Sequence, residues 1–552
     1  MNQSQCEKSD RQQISPSTSE LKQGKSGPLF KVNNSKIEQL RGLLIPHYPA
    51  QYHQGLLSLL KQIKKHSKQA SLSKNQLRSY FKQFDLKGMI PALSDPEYYL
   101  LLDVLEVAVV DTQANKRLKE KVFLTQSKDS HSVFLYQEFV RLAGKKSKAS
   151  KPNILVLTAS ARDPFEAADF YQQAFTQAGA NAYWLPLDAT LQAVWQMDGD
   201  LAQHCQRIDS YRLKHNGSYN RQAVYPDLVE KQINTCLNQS AVKQLVASVD
   251  GIFINGGDQS LTNKAFKNND GSDSEILSII KQRLAQNNIL IGGTSAGTAV
   301  MSGASKQYPN TVMITNGRSE DAIFRGAKAD VLPTEGCQKS NRCDLDLRHS
   351  DLTYNSTGGL GLFDYGILDT HFSERGRQGR LAVLTKHTGA KYAFGVDEAT
   401  ALVVSKNNTN QSIQLDVLGK AGVFIIENSV MDKQDQLTTH YLTAHDFATL
   451  ASNKLTMTFA DIKQAVPKSA QQTTEVTDNI FSQTNYQQWA NRLCLGEFYS
   501  AKAAFDFKQQ RKEITLSSSA NFKASKAVIS AKQPSDERQQ PLCSYQNLAL
   551  FL

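Results

Sequence analysis

The chain has 552 residues, of which 40% are hydrophobic and 21% charged. That is the balance of a soluble globular protein, and the length predicts about two to four domains. No apolar run approaches the ~20 residues a membrane span needs. The polar opening, 1–31, has no apolar h-region, so neither a span nor a secretory signal is expected, and a cytoplasmic location follows. The net charge of +11 raises nucleic acid as a ligand. The excess is scattered, however, as in Lys61, Lys64, Lys65 and Lys68, or Lys145, Lys146, Lys148 and Lys151. With no zinc-finger spacing and no aromatic–basic interleaving, it reads as a solvated surface, and no nucleic-acid partner is expected.

Seven cysteines form no Cys-x-x-Cys pattern, which leaves zinc ribbons and thioredoxin-type chemistry unsupported. Cys337 and Cys343 are close enough in sequence to bridge, and Cys494 and Cys543 share the tail. Such pairs suit an oxidising compartment and would make the protein an exported one; seven reduced thiols in a cytosolic protein fit the sequence equally.

Residues 1–32, rich in Ser, Gln and Lys, read as disordered. A helical domain is expected over 33–120. Ile37, Leu40, Leu43 and Leu44 share one helix face, and Leu56, Leu59, Leu60 and Ile63 another. Asp95 is placed as an N-cap with Pro96 at the first helical position, ahead of an apolar segment over 98–110. The sequence shows no chemistry in this domain beyond packing or partner binding.

From about residue 121 strands and helices alternate, which predicts an α/β domain with a mostly parallel sheet between helices, over 121–430. A helix is expected over 133–142, a strand over 154–158, a helix over 164–178 closed by Gly179, and a strand over 182–185. The polar helical stretch 190–225 reads as an insertion. A strand over 252–254 ends in Gly256-Gly257-Asp258-Gln259, and Ser272 with Glu275 forms a capping box for the next helix. The apolar run Ile289-Leu290-Ile291 then leads into Gly293-Thr294-Ser295-Ala296-Gly297. Gly-x-Ser-x-Gly after a buried strand is how a nucleophile elbow looks in sequence. Its serine sits in a strained turn, the two glycines leave room for neighbouring backbone, and the turn aims N–H groups at a forming oxyanion. A Gly/Ser loop that only caps a helix would look the same locally.

The polar stretch 316–356 reads as a second, irregular insertion near the site. A strand over 366–368 ends in Asp369-Thr370-His371-Phe372-Ser373-Glu374-Arg375-Gly376-Arg377-Gln378-Gly379-Arg380, and a helix over 381–384 follows. A serine needs a base, and a base needs an orienting partner. Of eleven histidines, His371 is the candidate base because it ends a strand beside the arginines. Glu398, in the turn Gly395-Val396-Asp397-Glu398, is the candidate orienter. Arg375, Arg377 and Arg380 stand at a helix start, where cations need an anionic reason. A substrate carboxylate would supply one, and so would internal acids such as Asp369 and Glu374. The strand over 423–426 closes the domain. The extension 431–552 is mixed: 502–532 is basic, Ser/Ala-rich and partly flexible, and the apolar end 547–552 packs back on the body.

Together, Gly-Gly-Asp-Gln over 256–259, Gly-Gly-Thr-Ser-Ala-Gly over 292–297, Asp-x-His-Phe-x-x-Arg-x-Arg-x-x-Arg over 369–380 and Gly-x-Asp-Glu over 395–398 resemble the cyanophycinases. These are serine-type exopeptidases related to the aspartyl dipeptidases, with a sandwich like that of class I glutamine amidotransferases. The resemblance covers about residues 122–430. It implies Ser295 as nucleophile, His371 as base, Glu398 as its partner, and a substrate pocket shaped by Gln259, Asp369, Arg375, Arg377 and Arg380. It implies hydrolysis of cyanophycin, a polyaspartate bearing arginine on each β-carboxyl, to β-Asp-Arg dipeptides, by a homodimer needing no metal or other cofactor. The amides of Gly257 and Ala296 are the expected oxyanion donors. The long span from Ser295 to His371, and Thr298 where alanine is usual, depart from the family. The competing readings are an aspartyl dipeptidase, an inactive polyamide-binding homologue and a lipase-type hydrolase; the arginine run speaks against the last.

Overall fold

The computed structural model describes residues 27–111, 116–333, 336–338, 341–407, 411–428, 436–467, 473–478, 480–507, 510–527 and 542–552. Most of the expected disordered opening lies outside these. Its end does not behave as expected: Leu29–Phe30 is a strand between Leu72–Ser73 and Glu106–Val107.

The helical region forms as its apolar spacing predicts, with helices Asn34–His47, Ala50–His66, Lys74–Phe84 and Asp95–Leu105. The expected cap at Asp95 falls one residue early. Ser94 is the N-cap, and its amide donates to the Glu97 carboxylate at 2.8 Å. The apolar stretch expected to run on to 110 leaves the helix at Leu105 for strand Glu106–Val107. These helices share a core from Phe30 to Leu105 that reaches Leu213 and Tyr219 of the 190–225 stretch. Ion pairs seal this face. Arg162 meets Asp103 at 2.6 Å, Arg221 meets Asp163 at 2.8 Å, and Arg342 meets Glu97 at 2.5 Å.

The α/β part is built on four parallel strands: β1 (Asn153–Leu157), β2 (Asn181–Leu185), β3 (Gly251–Ile254) and β4 (Leu290–Gly293), in the order β2-β1-β3-β4. Their Val/Ile/Leu-rich runs suit strands covered on both faces. Helix α1 (Ser130–Gly144) packs beside β4, and helices from both connections bury a core around Leu155, Leu157, Ile252 and Ile254. β4 is the edge strand and only half-buried, unlike the buried strand expected before Ser295; among the described residues no further strand of this sheet pairs beyond it. Gly179 closes its helix at φ 110°, as its position predicts. Ser272 does not cap the next helix. Ser274 does, its hydroxyl accepting from the Leu277 amide, while Ser272 bonds Asp270. The 190–225 stretch is helical, with Ala189–Trp195, Leu201–Gln206 and Ile208–His215.

The expectation of a mostly parallel sheet holds only for those four strands. The larger sheet starts with β5 (Ile367–Thr370), parallel to β6 (Tyr392–Val396). From there it is mostly antiparallel: β7 (Gly422–Glu427), β8 (Gln436–Thr443), then β11 (Cys543–Phe551), β10 (Gln510–Ala527) and β9 (Ser500–Phe507). β7 and β8, and β9 and β10, are neighbours in sequence as well as in the sheet, which suits the antiparallel sense, while β8 takes β11 from far along the chain. Of residues 502–532, expected to be partly flexible, 502–507 and 510–527 are strands of this sheet, and the others lie outside the described residues. The apolar end pairs in it too, Leu437 opposite Leu550. The sheet thus takes strands from both sides of residue 431, the position at which an extension was expected to begin. The 316–356 stretch is more ordered than expected. It carries helix Ser319–Arg325 and strands Ala327–Ala329 and Leu352–Asn355, which join Met313–Asn316 in a small sheet.

Three disulfides are present: Cys337–Cys343 and Cys494–Cys543, as the sequence allowed, and Cys205–Cys236, which the sequence did not single out. Six of the seven cysteines are therefore paired. Thiol titration of the denatured, unreduced protein is expected to return one thiol per chain, that of Cys6. A count of three or more would mean that at least one bridge does not form. Among the described residues no helix is long and apolar enough to cross a membrane.

Candidate active site

Ser295 directly follows the β4 turn, at φ 54° and ψ −119°, and helix Ala296–Ala299 starts immediately after it. A side chain at φ near +54° is strained, and such strain persists where the surroundings over-determine it. The surroundings here are backbone. A Cβ on Gly293 would lie 2.4 Å from the Gly297 carbonyl oxygen, and one on Gly297 would lie 2.3 Å from the Ile254 carbonyl oxygen. Thr298, the departure from the family pattern, donates its hydroxyl to the Gly293 carbonyl at 2.7 Å and so ties the turn together.

His371 leaves β5 at φ 47°, a second non-glycine residue in the left-handed region. Its Nε2 lies 2.8 Å from Ser295 Oγ and its Nδ1 lies 2.8 Å from a Glu398 carboxylate oxygen. Three residues from three loops, 76 and 27 positions apart, are thereby brought into one hydrogen-bonded series. With Glu398 as acceptor, Nδ1 carries the proton and Nε2 is left to accept from the serine hydroxyl. His371 is buried, while Ser295 and Glu398 at the two ends of the series are half-buried. Burial pushes the His371 imidazole down to about 4; the Glu398 hydrogen bond opposes that, and Arg375 and Arg377 reinforce it. Burial would raise the Glu398 carboxyl, but the His371 hydrogen bond works against it and the net direction is down. The resting state is therefore neutral imidazole beside carboxylate, ready to accept a proton. Because the folded pKa lies below the ordinary histidine value, the neutral base persists as pH falls through 6 and is lost only near 4. The rate of Ser295 modification by a fluorophosphonate is expected to keep a plateau down to about pH 5. A midpoint at 6.5 would contradict the burial argument.

Gly257, at φ +147°, is held against the end of β1: a Cβ there would lie 2.0 Å from the Ser160 carbonyl oxygen. Among the described residues its amide makes no backbone hydrogen bond, and the residue is exposed. Gly256 approaches the nucleophile itself, its virtual Cβ 3.0 Å from Ser295 Cβ. Ala296 opens the helix after Ser295, where amides lack intrahelical partners.

The residues expected to shape a pocket divide. Gln259 donates its amide to the carbonyls of Ile314 at 2.7 Å and Thr315 at 3.1 Å, and so links the elbow region to strand Met313–Asn316, which pairs with Leu352–Asn355. Asp369 is fully buried and accepts from Arg380 at 2.8 and 2.6 Å and from Arg377 at 3.1 Å. Arg380 also reaches the Gly317 carbonyl at 2.8 Å. Asp369 is thus the anionic reason for two of the three arginines. Glu374 is not, contrary to expectation: it accepts the Glu398 amide at 3.1 Å. Arg375 is exposed; its amide donates to the His371 carbonyl at 3.2 Å, and its guanidinium has no hydrogen bond or ion pair among the described residues. The helix expected over 381–384 is α2 (Gln378–Thr388), so Arg380 lies in its first turn.

Sequence reasoning missed Asp397. It accepts from the Ser373 amide at 2.9 Å, the Tyr441 hydroxyl at 2.6 Å and the Gln487 amide at 3.0 Å. Its place in the Gly-x-Asp-Glu turn was a signal, but the role went to the neighbouring Glu398. Burial, then the Asp397 charge, push the Glu374 carboxyl up to about 7.

A nucleophile on a strained turn, a neutral base and an orienting carboxylate can carry acyl transfer. No protein-family model matches the chain. The chain is similar to the cyanophycinases of Nostoc sp. and Trichormus variabilis, each 28% identical over 214 residues, or 37% of this chain and 57% of that protein. It is also similar to the cyanophycinase of Geminocystis herdmanii, 26% identical over 211 residues, 37% of this chain and 61% of that protein. The chain thus spans about 57 to 61% of the length of these curated relatives.

Proposed function

We propose that the protein is a serine-type exopeptidase that hydrolyses cyanophycin, or a related β-aspartyl-arginine polymer, to β-Asp-Arg dipeptides. The observation that carries this reading is the series Ser295–His371–Glu398, with both links at 2.8 Å. Similarity to proteins named cyanophycinase supplies the substrate class. On this reading the two glutamine amidotransferase-like sheets meet at the site, and the homodimer and metal-free chemistry of the family carry over.

His371 takes the Ser295 proton as the hydroxyl oxygen attacks the scissile carbonyl. The Gly257 and Ala296 amides hold the oxyanion, and the imidazolium returns its proton to the leaving amine. Water, activated by the same imidazole, then releases the acyl group. Arg375 is free to meet a substrate carboxylate, as a bidentate guanidinium would. Asp369, Arg377 and Arg380 shape the pocket from behind, by fixing the turn that carries Arg375. The three disulfides favour an oxidising compartment over the cytoplasm as the site of action.

The test is incubation of purified protein with cyanophycin, beside Ser295→Ala, with release of β-Asp-Arg followed by mass spectrometry. Dipeptide from the wild type alone is expected. No release by the folded wild type would sink the substrate assignment.

A further inference from the structure

The C-terminal part of the chain reaches the catalytic loops through Asp397. Two loops carry the base and its orienter: the turn after β5, with His371, and the turn after β6, with Glu398. They are cross-braced in both directions. The Ser373 amide donates to Asp397 at 2.9 Å, and the Glu398 amide donates to Glu374 at 3.1 Å. Each loop thus lends the other a carboxylate acceptor for a main-chain donor, next to the two residues that must stay in register.

Asp397 is 3% exposed, and its second oxygen is held from outside these loops. The Tyr441 hydroxyl of β8 donates to it at 2.6 Å, and the side-chain amide of Gln487, from α3 (Asn485–Cys494), donates at 3.0 Å. Gln487 also donates to the Tyr441 oxygen at 2.6 Å, closing a three-membered network. A buried carboxylate needs such donors, and a donor lost in a low-dielectric interior cannot be replaced by solvent. α3 is itself fixed: the Cys494–Cys543 disulfide ties it to β11, and Asn491 accepts the Cys543 amide at 2.6 Å. The same segment seats on the arginine turn, where a Cβ on Gly379 would lie 2.8 Å from the Phe481 ring.

We propose that the C-terminal segment completes the catalytic apparatus, with Tyr441 and Gln487 as positioning residues that hold Asp397, and through it the Glu398 turn, in register with His371. The proposal rests on the serine reading given above. It assigns residues beyond 431 a part in the reaction rather than in a separate module.

The test uses full-length Tyr441→Phe and Gln487→Leu, with Tyr486→Phe as control. Tyr486 is equally buried on α3 and its hydroxyl does not touch Asp397. The readouts are melting temperature, phosphonylation rate of Ser295 by a small fluorophosphonate well below that temperature, and kcat and KM on cyanophycin. Both network variants are expected to slow phosphonylation and lower kcat about tenfold with KM within about twofold, while Tyr486→Phe labels at the wild-type rate. The double variant should be little worse than either single one, because both act through the same carboxylate. A lower melting temperature with unchanged phosphonylation in both network variants would overturn the proposal and leave the serine reading standing. Failure of the wild type to label would remove the serine reading, and this proposal with it.

Discussion

Ser295→Ala is expected to lower kcat on cyanophycin at least about 10⁴-fold with little change in KM, because in the proposed mechanism the hydroxyl forms the new bond. His371→Ala should cost about as much, since an alcohol without its base is a poor nucleophile, and the double variant little more than either. Glu398→Gln should cost less: the amide still reaches the ring at 2.8 Å but can favour the wrong tautomer. The residual rate in Ser295→Ala would come from the Gly257 and Ala296 amides and from substrate binding. The fold should survive the change, since the turn is held by Gly293, Gly297 and the Thr298–Gly293 hydrogen bond rather than by the hydroxyl. Unchanged melting temperature with lost turnover is the expected signature. Retained turnover would place the nucleophile elsewhere.

The residues of this series were legible in the sequence because each belongs to a short local pattern: a glycine-flanked serine after an apolar strand, and two polar turns after strands. That they meet at 2.8 Å was not legible, since it depends on strands 76 positions apart. The parallel strands β1 to β4 were legible from their periodicity; the antiparallel half of the larger sheet was not. Residues 510–527 lack the apolar density of a buried strand, and they form β10 because β11 and β9 pair with them on either side. Tyr441 and Gln487 had no local signal at all. The caps at Ser94 and Ser274 slipped by one or two residues because several Ser and Asp residues competed locally, and backbone geometry chose among them. The arginine run divided for a physical reason. Its i, i+3 spacing across the α2 start sends Arg377 and Arg380 inward to Asp369 and leaves Arg375 outside.

That division predicts opposite phenotypes within one motif. Asp369→Asn is expected to destabilise the protein by about 3–5 kcal/mol, because it leaves two guanidinium groups facing a neutral side chain in a dry interior. Asp369 is 1% exposed and bonded to Arg380 at 2.6 Å, so water cannot take the carboxylate's place. Burial alone would raise its pKa; Arg380 first, then Arg377, bring it below the ordinary aspartate range. A folded pKa below the unfolded one means that this contribution is present above the unfolded value near 4 and is lost as pH falls through the folded one. The wild-type advantage over Asp369→Asn should therefore shrink in acid. Urea midpoints at pH 7 and pH 3 measure both effects. Activity should fall with stability, since the Arg377 amide bonds the Phe372 carbonyl at 3.0 Å, one residue from the base. Arg375→Ala should do the reverse: stability within about 0.5 kcal/mol of wild type, as for an exposed side chain, with a raised KM. If Asp369→Asn instead left the urea midpoint unchanged and raised only KM, the carboxylate would be a substrate contact, and the inward arginines would have to be held by something other than its charge.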